Sequence, residues 1–404
     1  RRLVSVVNGV LRVVVLDGSP EIDGTLDLSS RGATDLFLRG DSALVLGTAY
    51  GNDGYDRVYD SPSIPGPTVD PTAIEEGPTT TAPSTTEPTT TITEPTTTTT
   101  EPTTTSTTTV PVPPPFTTST TLTLVSLADP TEPVVTASAE VEGELVTARD
   151  SAGRARVVVR SDSSAMDELW SATSRDSAIR SVEQVSSDDL LPRISSEGQL
   201  ATIGGCSDVM VASSPAIASD DWSPSPQLST VTVLTVGDQL SDLAPVSFQG
   251  TADTVYASSD ALYIASQSWD EAGSRTNIHR LDLTGDGPAT YSGSGRVSGT
   301  LVDQFALSDR DAMLRVVTTT QEITTRPMRE VDASADIAIA PMSEARLTVL
   351  DTEGTLDEVA SLGDMGIGEQ VQSVRFLDDI AYLVTFRQVD PLYAVDLSEG
   401  DQLG

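Results

Sequence analysis

One pattern, repeated along the chain, limits what this sequence can fold into. An apolar run ends in an apolar–Asp pair, and a Gly turn follows. It stands at Val13-Val14-Val15-Leu16-Asp17-Gly18 and at Ile278-His279-Arg280-Leu281-Asp282 before Gly285. It returns at Leu347-Thr348-Val349-Leu350-Asp351 before Gly354, and at Leu392-Tyr393-Ala394-Val395-Asp396 before Gly400. Weaker copies, Leu124 to Ala128 and Thr232 to Thr235, place Ala128 and Thr235 in the Asp position. From Asp351 to Asp396 is 45 residues, and from Thr235 to Asp282 is 47. Setting aside 321–344, 164–227 and 51–117 as insertions brings the other three intervals to 43–45 residues. A repeat of this length carrying four short strands is the mark of a β-propeller blade.

The strand signals agree with that reading. Short runs of Val, Leu, Ile and Tyr are bounded by Gly, Asp and Pro. The chain therefore reads as all-β: a single, incomplete β-propeller domain over 1–404, built of four-stranded antiparallel blades. About six blades are visible. Four are full, near 32–143, 144–250, 251–299 and 300–365, and two are partial. The clearest blade has strands at Thr254–Ser258, Ala261–Ser268, Thr276–Leu283 and Ala289–Val297. The next uses Val302–Leu307, Ala312–Thr320, Ala345–Asp351 and Leu356–Leu362. The last uses Val371–Leu377, Ile380–Phe386 and Leu392–Leu397, with no fourth strand. At the start, Arg2–Val7 and Val10–Asp17 flank Asn8-Gly9, the dipeptide that suits a type I′ hairpin turn. The partial blades, and a start at Arg1 without a leader segment, read as a truncated or processed chain.

Two insertions are compositionally distinct. Residues 66–120 are Thr/Pro-rich, with Glu87-Pro88, Glu94-Pro95 and Glu101-Pro102 recurring every seven residues. A Pro in every repeat removes a helix donor, so this is no coiled coil. Few apolar side chains offset the entropy of ordering, which predicts a disordered, extended tether, either bare or O-glycosylated. Residues 164–228 carry the helix signals. Ser164 caps a turn with Asp167 and Glu168, and Ser174 caps a helix with Ile179, Val182 and Val185 on one face. Both insertions, and the 321–344 loop, fall between the second and third strands of their blades. Loops at one place in successive blades emerge on one face, which predicts a crowded, binding-competent face.

Composition then excludes function classes. Sixty acidic residues stand against 23 basic ones, all Arg, for a net charge of −37. That field repels nucleic acid and anionic membrane. It fits solvation in a salty environment, and the absence of Lys also fits a codon bias toward Arg. No apolar run is long enough for a membrane span. A single Cys, Cys206, excludes a disulfide framework and a Cys-based zinc site. A single His, His279, is the sole candidate for a Ser-His-Asp triad.

Beside this reading stands a family likeness. Ser373-Val374-Arg375-Phe376-Leu377, the stretch from Tyr382-Leu383-Val384 through Arg387-Gln388-Val389-Asp390-Pro391-Leu392-Tyr393, Asp303-Gln304-Phe305-Ala306-Leu307-Ser308, Thr276-Asn277-Ile278-His279 and Leu190-Leu191-Pro192-Arg193 carry it. The chain resembles secreted bacterial and archaeal proteins with a C-terminal β-propeller domain distantly related to WD repeats. The likeness covers all but the Thr/Pro tract and departs from the family in lacking a leader and final blades. It implies an extracellular or envelope-attached propeller and no particular activity.

The candidate site residues are polar groups near the ends of inner strands. Arg387, Gln388 and Asp390 follow an apolar strand and precede Pro391, in a second-to-third-strand loop on the insertion-bearing face. They suit ligand or partner contact, or an Arg–Asp pair fixing the loop. Arg375 on the preceding strand is expected to line the channel with them. His279, mid-strand, reads as structural. Cys206 reads as a small buried residue or a free thiol. No nucleophile elbow, phosphate loop or zinc-helix motif occurs, so no catalytic residue is assigned. The Asp–Gly turns lack full calcium-loop spacing, so Asp bonding its own backbone is favoured over Ca²⁺, and no cofactor is assigned. The expected function is a non-catalytic secreted or cell-envelope module, acting as a binding or scaffold unit on a protein or glycan at the cell surface, and monomeric. Two alternatives stay open: an extracytoplasmic enzyme at the channel mouth, using Arg387, Asp390 and His279, and a calcium-stabilised adhesion module.

Overall fold

The computed structural model describes residues 1–50, 118–151, 153–163, 172–196, 198–211, 229–270, 273–285, 287–322, 342–386 and 391–398. Residues 66–117 of the Thr/Pro tract lie outside them, as does the Ser164–Asp167–Glu168 helix signal; residues 118–120, expected to be disordered, instead begin a strand paired with 48–50.

Six strand groups, called sheets below, follow one another in chain order; the fourth and fifth are joined through the single pair Gly273–Glu322, and all pairing is antiparallel except that of the short strand Val209–Met210. The first holds β1 (Arg2–Val7), β2 (Val10–Val15) and β3 (Glu21–Asp27). The second holds β4 (Ala33–Arg39), β5 (Ser42–Tyr50), β6 (Thr118–Ser126) and β7 (Val134–Glu142). The third begins with β8 (Glu144–Ser151) and β9 (Arg154–Asp162). A helix, α1 (Arg175–Gln184), and short strands β10 (Arg193–Ser196), β11 (Gln199–Thr202) and β12 (Val209–Met210) intervene. The third sheet then resumes with β13 (Ser229–Val236) and β14 (Ala244–Gln249). The fourth holds β15 (Thr254–Ala257), β16 (Ala261–Asp270), β17 (Gly273–Asp282) and β18 (Thr290–Ser298). The fifth holds β19 (Leu307–Arg310), β20 (Met313–Glu322), β21 (Met342–Asp351) and β22 (Glu358–Met365). The sixth holds β23 (Gln370–Leu377), β24 (Ile380–Phe386) and β25 (Leu392–Asp396).

The four full blades and both partial ones are thus present. The Asn8-Gly9 hairpin forms, with Val7 opposite Val10. One strand differs from expectation. Over 302–307 the chain makes a 3₁₀ turn (Gln304–Ala306), because the Asp303 carboxylate accepts the Phe305 N–H at 2.8 Å. The strand then covers only Leu307–Arg310.

Five apolar clusters join the six sheets. In the middle strands, neighbouring residues serve different clusters. Ala43 and Val45 pack toward the first sheet, and Leu44 and Leu46 toward the third. Val157 and Val159 face the second sheet, whereas Val158 faces the fourth with Val231 and Val233. Leu262 and Ile264 face the third sheet, and Tyr263 and Ala265 the fifth. Leu314 and Val316 look back to the fourth sheet, while Val317 joins Val374 and Leu383 of the sixth. Burial on both faces is why these strands read as unbroken apolar runs instead of alternating ones. The outward faces of the two terminal sheets are apolar and exposed: Leu3, Val7 and Ile22 at one end, Leu377, Phe386 and Leu392 at the other.

The 164–228 insertion behaves differently from a face decoration. Ser174 caps α1 as expected: its Oγ accepts the Ser177 N–H, and Ser177 Oγ accepts the Ser174 N–H. Beyond it, β10 pairs antiparallel with β7, the last strand of the second sheet, and carries β11 outside itself. Arg193 fixes this with two bonds to the Glu142 carboxylate, at 2.8 and 2.6 Å. β12 pairs in parallel with β14, the last strand of the third sheet. The described part of the insertion therefore covers two sheet edges, where open N–H and C=O groups invite wrong partners.

Each sheet hands the chain to the next through a tight turn. Gly143, at φ +113°, donates its N–H to Thr118 and accepts the Thr120 hydroxyl. Gly299, at φ +90°, does the same with Ser274 and Thr276. A Cβ would lie 2.3 Å from the Arg160 carbonyl at Gly143 and 2.6 Å from the Thr319 carbonyl at Gly299. Both carbonyls belong to the second strand of the next sheet, so the clash is with backbone. Gly143→Ala and Gly299→Ala are each expected to lower unfolding free energy by about 2 kcal/mol or more, read by urea denaturation. Gly153→Ala, at a positive φ but with open space around it, should cost less.

Candidate functional site

In a four-stranded antiparallel sheet, the first strand starts at the end from which the second-to-third connection leaves. The starts of the first strands and the strand ends Tyr50, Asp162 and Glu322, from which the three insertions leave, therefore share one end of the sheets. Along the first strands lies a concavity of about 420 Å³. Val146, Thr147 and Arg149 of β8, Asp253 to Val255 at β15, and Val302 to Phe305 before β19 line it.

Local structure places each group. The Asp303-capped turn buries Ala306 and Leu307 and turns Phe305 outward, leaving its side chain 49% exposed. Arg375, an exposed residue of β23, lays its guanidinium over the Phe305 ring at 4.2 Å from the centroid. It also donates to its neighbour's carbonyl, Val374 O, at 2.8 Å. Arg149 donates to Thr147 Oγ1 at 2.6 Å, to Ala148 O at 2.9 Å and to Gln304 Oε1 at 3.1 Å. That last bond ties the third sheet to the fifth. Asp253 accepts the Gln267 N–H at 2.7 Å, and Asp303 is used in its cap. Arg149, held by neutral oxygens, a half-exposed ring and two carboxylates thus line one hollow, and Arg375 of a fourth sheet lies over that ring.

Arg375 sits at this concavity. Arg387, Gln388 and Asp390 lie outside the described residues. Sequence reading missed Arg149 and Phe305. The available signal was the Asp-x-Phe spacing at Asp303, a side-chain cap read instead as strand.

The other candidates are placed elsewhere. His279 is buried between the third and fourth sheets, stacked on Phe248 at 4.4 Å, with Nδ1 2.9 Å from the Tyr291 hydroxyl. Burial pushes its pKa down to about 4. Cys206 is exposed, not a buried residue. The repeat Asp residues bond local backbone: Asp282 to Thr284 at 2.6 Å, Asp351 to Glu353 at 2.9 Å, Asp396 to Ser398 at 2.9 Å. These bonds to Thr284 hold Asp282 below the usual carboxylate range, as those to Ser398 do for Asp396. Among the described residues, no group of three or more His, Cys, Asp or Glu gathers as a metal site.

A larger hollow of about 940 Å³ opens at the opposite end, between the β4–β5 turn, Asp150, Gly153 and Asp238. Its one arginine, Arg39, is spent joining sheets, with bonds to the carbonyls of Val236 and Gly237. The smaller concavity differs in adding a half-exposed aromatic ring, Phe305, to its arginine and carboxylates.

With this architecture in view, one comparison gives the class. The model of the beta propeller domain matches residues 1–403, and the chain belongs to that family. Over 104 residues it is 33% identical to an uncharacterised protein of Methanocaldococcus jannaschii. Over 106 residues it is 34% identical to an uncharacterised protein of Archaeoglobus fulgidus. Each match spans 26% of this chain and 14% of the relative's length. Among solved structures, a point mutant of Synechocystis apocarotenoid oxygenase aligns at 10% identity and a TM-score of 0.24, over 44% of this chain and 43% of that one. Among the described residues, no helix is long and apolar enough to cross a membrane.

His279 sets one pH prediction. Its folded pKa lies near 4, against an ordinary value of 6.5. Between those values the unfolded chain binds a proton that the folded chain does not. Stability should therefore fall as pH drops from 6.5 toward 4, with no further loss from this group below. The share of His279 is about 1.4 kcal/mol per pH unit at most. Urea unfolding at pH 7, 6 and 5 should show a smaller acid loss for His279→Phe than for the wild type.

Proposed function

We propose that this chain is a non-catalytic binding propeller of the cell envelope or extracellular space. Its working surface is the concavity along the first strands, and its partner is a protein or glycan at the cell surface. One observation carries the reading: Phe305 stands half exposed beneath the Arg375 guanidinium, beside Arg149 and Gln304, in a concavity open to water. A large ring kept in water beside immobilised arginines lowers the cost of ordering a binding surface in advance. The Thr/Pro tract supports an extracytoplasmic setting through its composition. The acidic, Lys-free balance keeps such a surface soluble and disfavours nucleic acid.

The test is retention on an isolated cell-wall fraction from the source organism. The wild type should be retained. Phe305→Ala and Arg375→Gln should reduce retention by about tenfold. Asp238→Asn, at the opposite end, should leave it unchanged. Equal retention of all four proteins, or none for the wild type, refutes the proposal.

A further inference from the structure

Resting on that reading, we infer that the concavity of Arg149, Phe305 and Arg375 binds the carboxylate of an acidic sugar, a uronic acid within a saccharide. The argument begins with charge. In a chain with 60 acidic and 23 basic residues, carboxylate partners for arginine are abundant. Several arginines take one: Arg160 pairs with Glu144, Arg193 with Glu142, Arg346 with Glu344 and Arg310 with Asp311. Others, such as Arg156 and Arg315, are held by neutral oxygens but are buried between sheets. At the concavity, among the described residues, Arg149 and Arg375 also lack a carboxylate partner, and Arg375 is exposed to water. Arg149 is held by a hydroxyl, a carbonyl and an amide oxygen, and Arg375 by a carbonyl and a ring. Neutral acceptors fix the direction of a guanidinium without neutralising it. Two such forks within reach of one hollow suit a planar, two-oxygen anion.

The ring and the two acids narrow the ligand further. Phe305 gives one side to Arg375 and leaves half its surface to water, a flat apolar patch that matches the C–H face of a pyranose. Asp253 and Asp303 line the same hollow, and each uses one oxygen on a backbone N–H. Their remaining acceptor capacity calls for donors on the ligand. A simple inorganic anion has no apolar face, and an acidic peptide side chain carries no donors. A uronic acid offers a carboxylate, an apolar ring face and several hydroxyl donors together. A volume of about 420 Å³ accommodates one or two sugar rings.

The experiment is titration calorimetry of the whole chain with three probes: trigalacturonic acid, neutral galactotriose and hexaglutamate. Trigalacturonic acid should bind, and the other two should not. Arg149→Gln, Arg375→Gln and Phe305→Ala should each weaken it by about tenfold or more, with circular dichroism unchanged. Arg39→Gln, at the opposite end, should bind as the wild type does. Equal binding of galactotriose overturns the role of the arginines yet leaves a glycan-binding propeller standing. Equal or tighter binding of hexaglutamate overturns the saccharide. No binding by any probe overturns the inference while leaving the cell-wall retention test free to succeed. Should trigalacturonic acid bind while cell-wall retention fails, the inference survives and the envelope setting falls.

Discussion

Everything in this molecule depends on middle strands that are buried on both faces. A strand such as Arg154–Asp162 has a sheet in front and a sheet behind, so Val157, Val158 and Val159 all leave water. At about 25 cal/mol per Å² of apolar surface, that doubles what one strand contributes relative to a strand with one wet face. It also explains the economy in aromatic residues, which make up 4% of the chain. The gaps between sheets are filled by Val, Leu and Ala, whose branched or small side chains interdigitate at close-packed density. Sheets held this way need few polar fasteners, and those present are arginines reaching neighbouring backbone. Arg156 bonds Gly287 O at 3.1 Å, and Arg315 bonds Asp378 O at 3.0 Å while lying over Phe376. Burial holds both guanidiniums below their ordinary pKa. Each carries its charge into the interior without a carboxylate among its described bonds, spreading it over a planar group that several neutral oxygens can share.

The fold was largely legible because its signal is periodic. Apolar runs recur at a fixed interval, and an Asp that bonds its own turn closes many of them, so Asp282, Asp351 and Asp396 marked strand ends faithfully. The Asn8-Gly9 turn and the Ser174 cap were readable for the same reason: the cause is local. Errors arose where the cause was distant. The chain at 302–307 is as apolar as a strand, but an acid two residues before Phe305 wins the local contest and makes a turn. The route of the 164–228 insertion was invisible because β10 and β12 are only four and two residues long. Their partners, β7 and β14, are specified by an open edge and by an ion pair between residues 51 apart in sequence.

The candidate site was legible only in part, and for a related reason. Arg375 could be placed because it alternates with apolar residues on a first strand. Arg149 looked like any arginine in a mixed strand, and only the stacking of sheets brings it to Gln304, 155 residues away. Phe305 was read as part of a strand over Val302–Leu307. A site assembled along first strands draws one or two residues from each repeat, so no contiguous motif records it. His279 illustrates the converse. Its chemistry drew attention, but Phe248 and Tyr291 enclose it as a packing element.

The glycine hand-overs have a consequence for how such a chain changes over time. Gly143 and Gly299 lock the exit of one sheet against the second strand of the next, so the step between sheets tolerates neither added bulk nor added length. The connections between second and third strands are 67, 66 and 19 residues long in three different sheets. Two kinds of change are thereby separated. The step between sheets is fixed by backbone contact, while added sequence enters at one end of the stack. A lineage can therefore rewrite that end and keep unaltered the scaffold that positions the concavity.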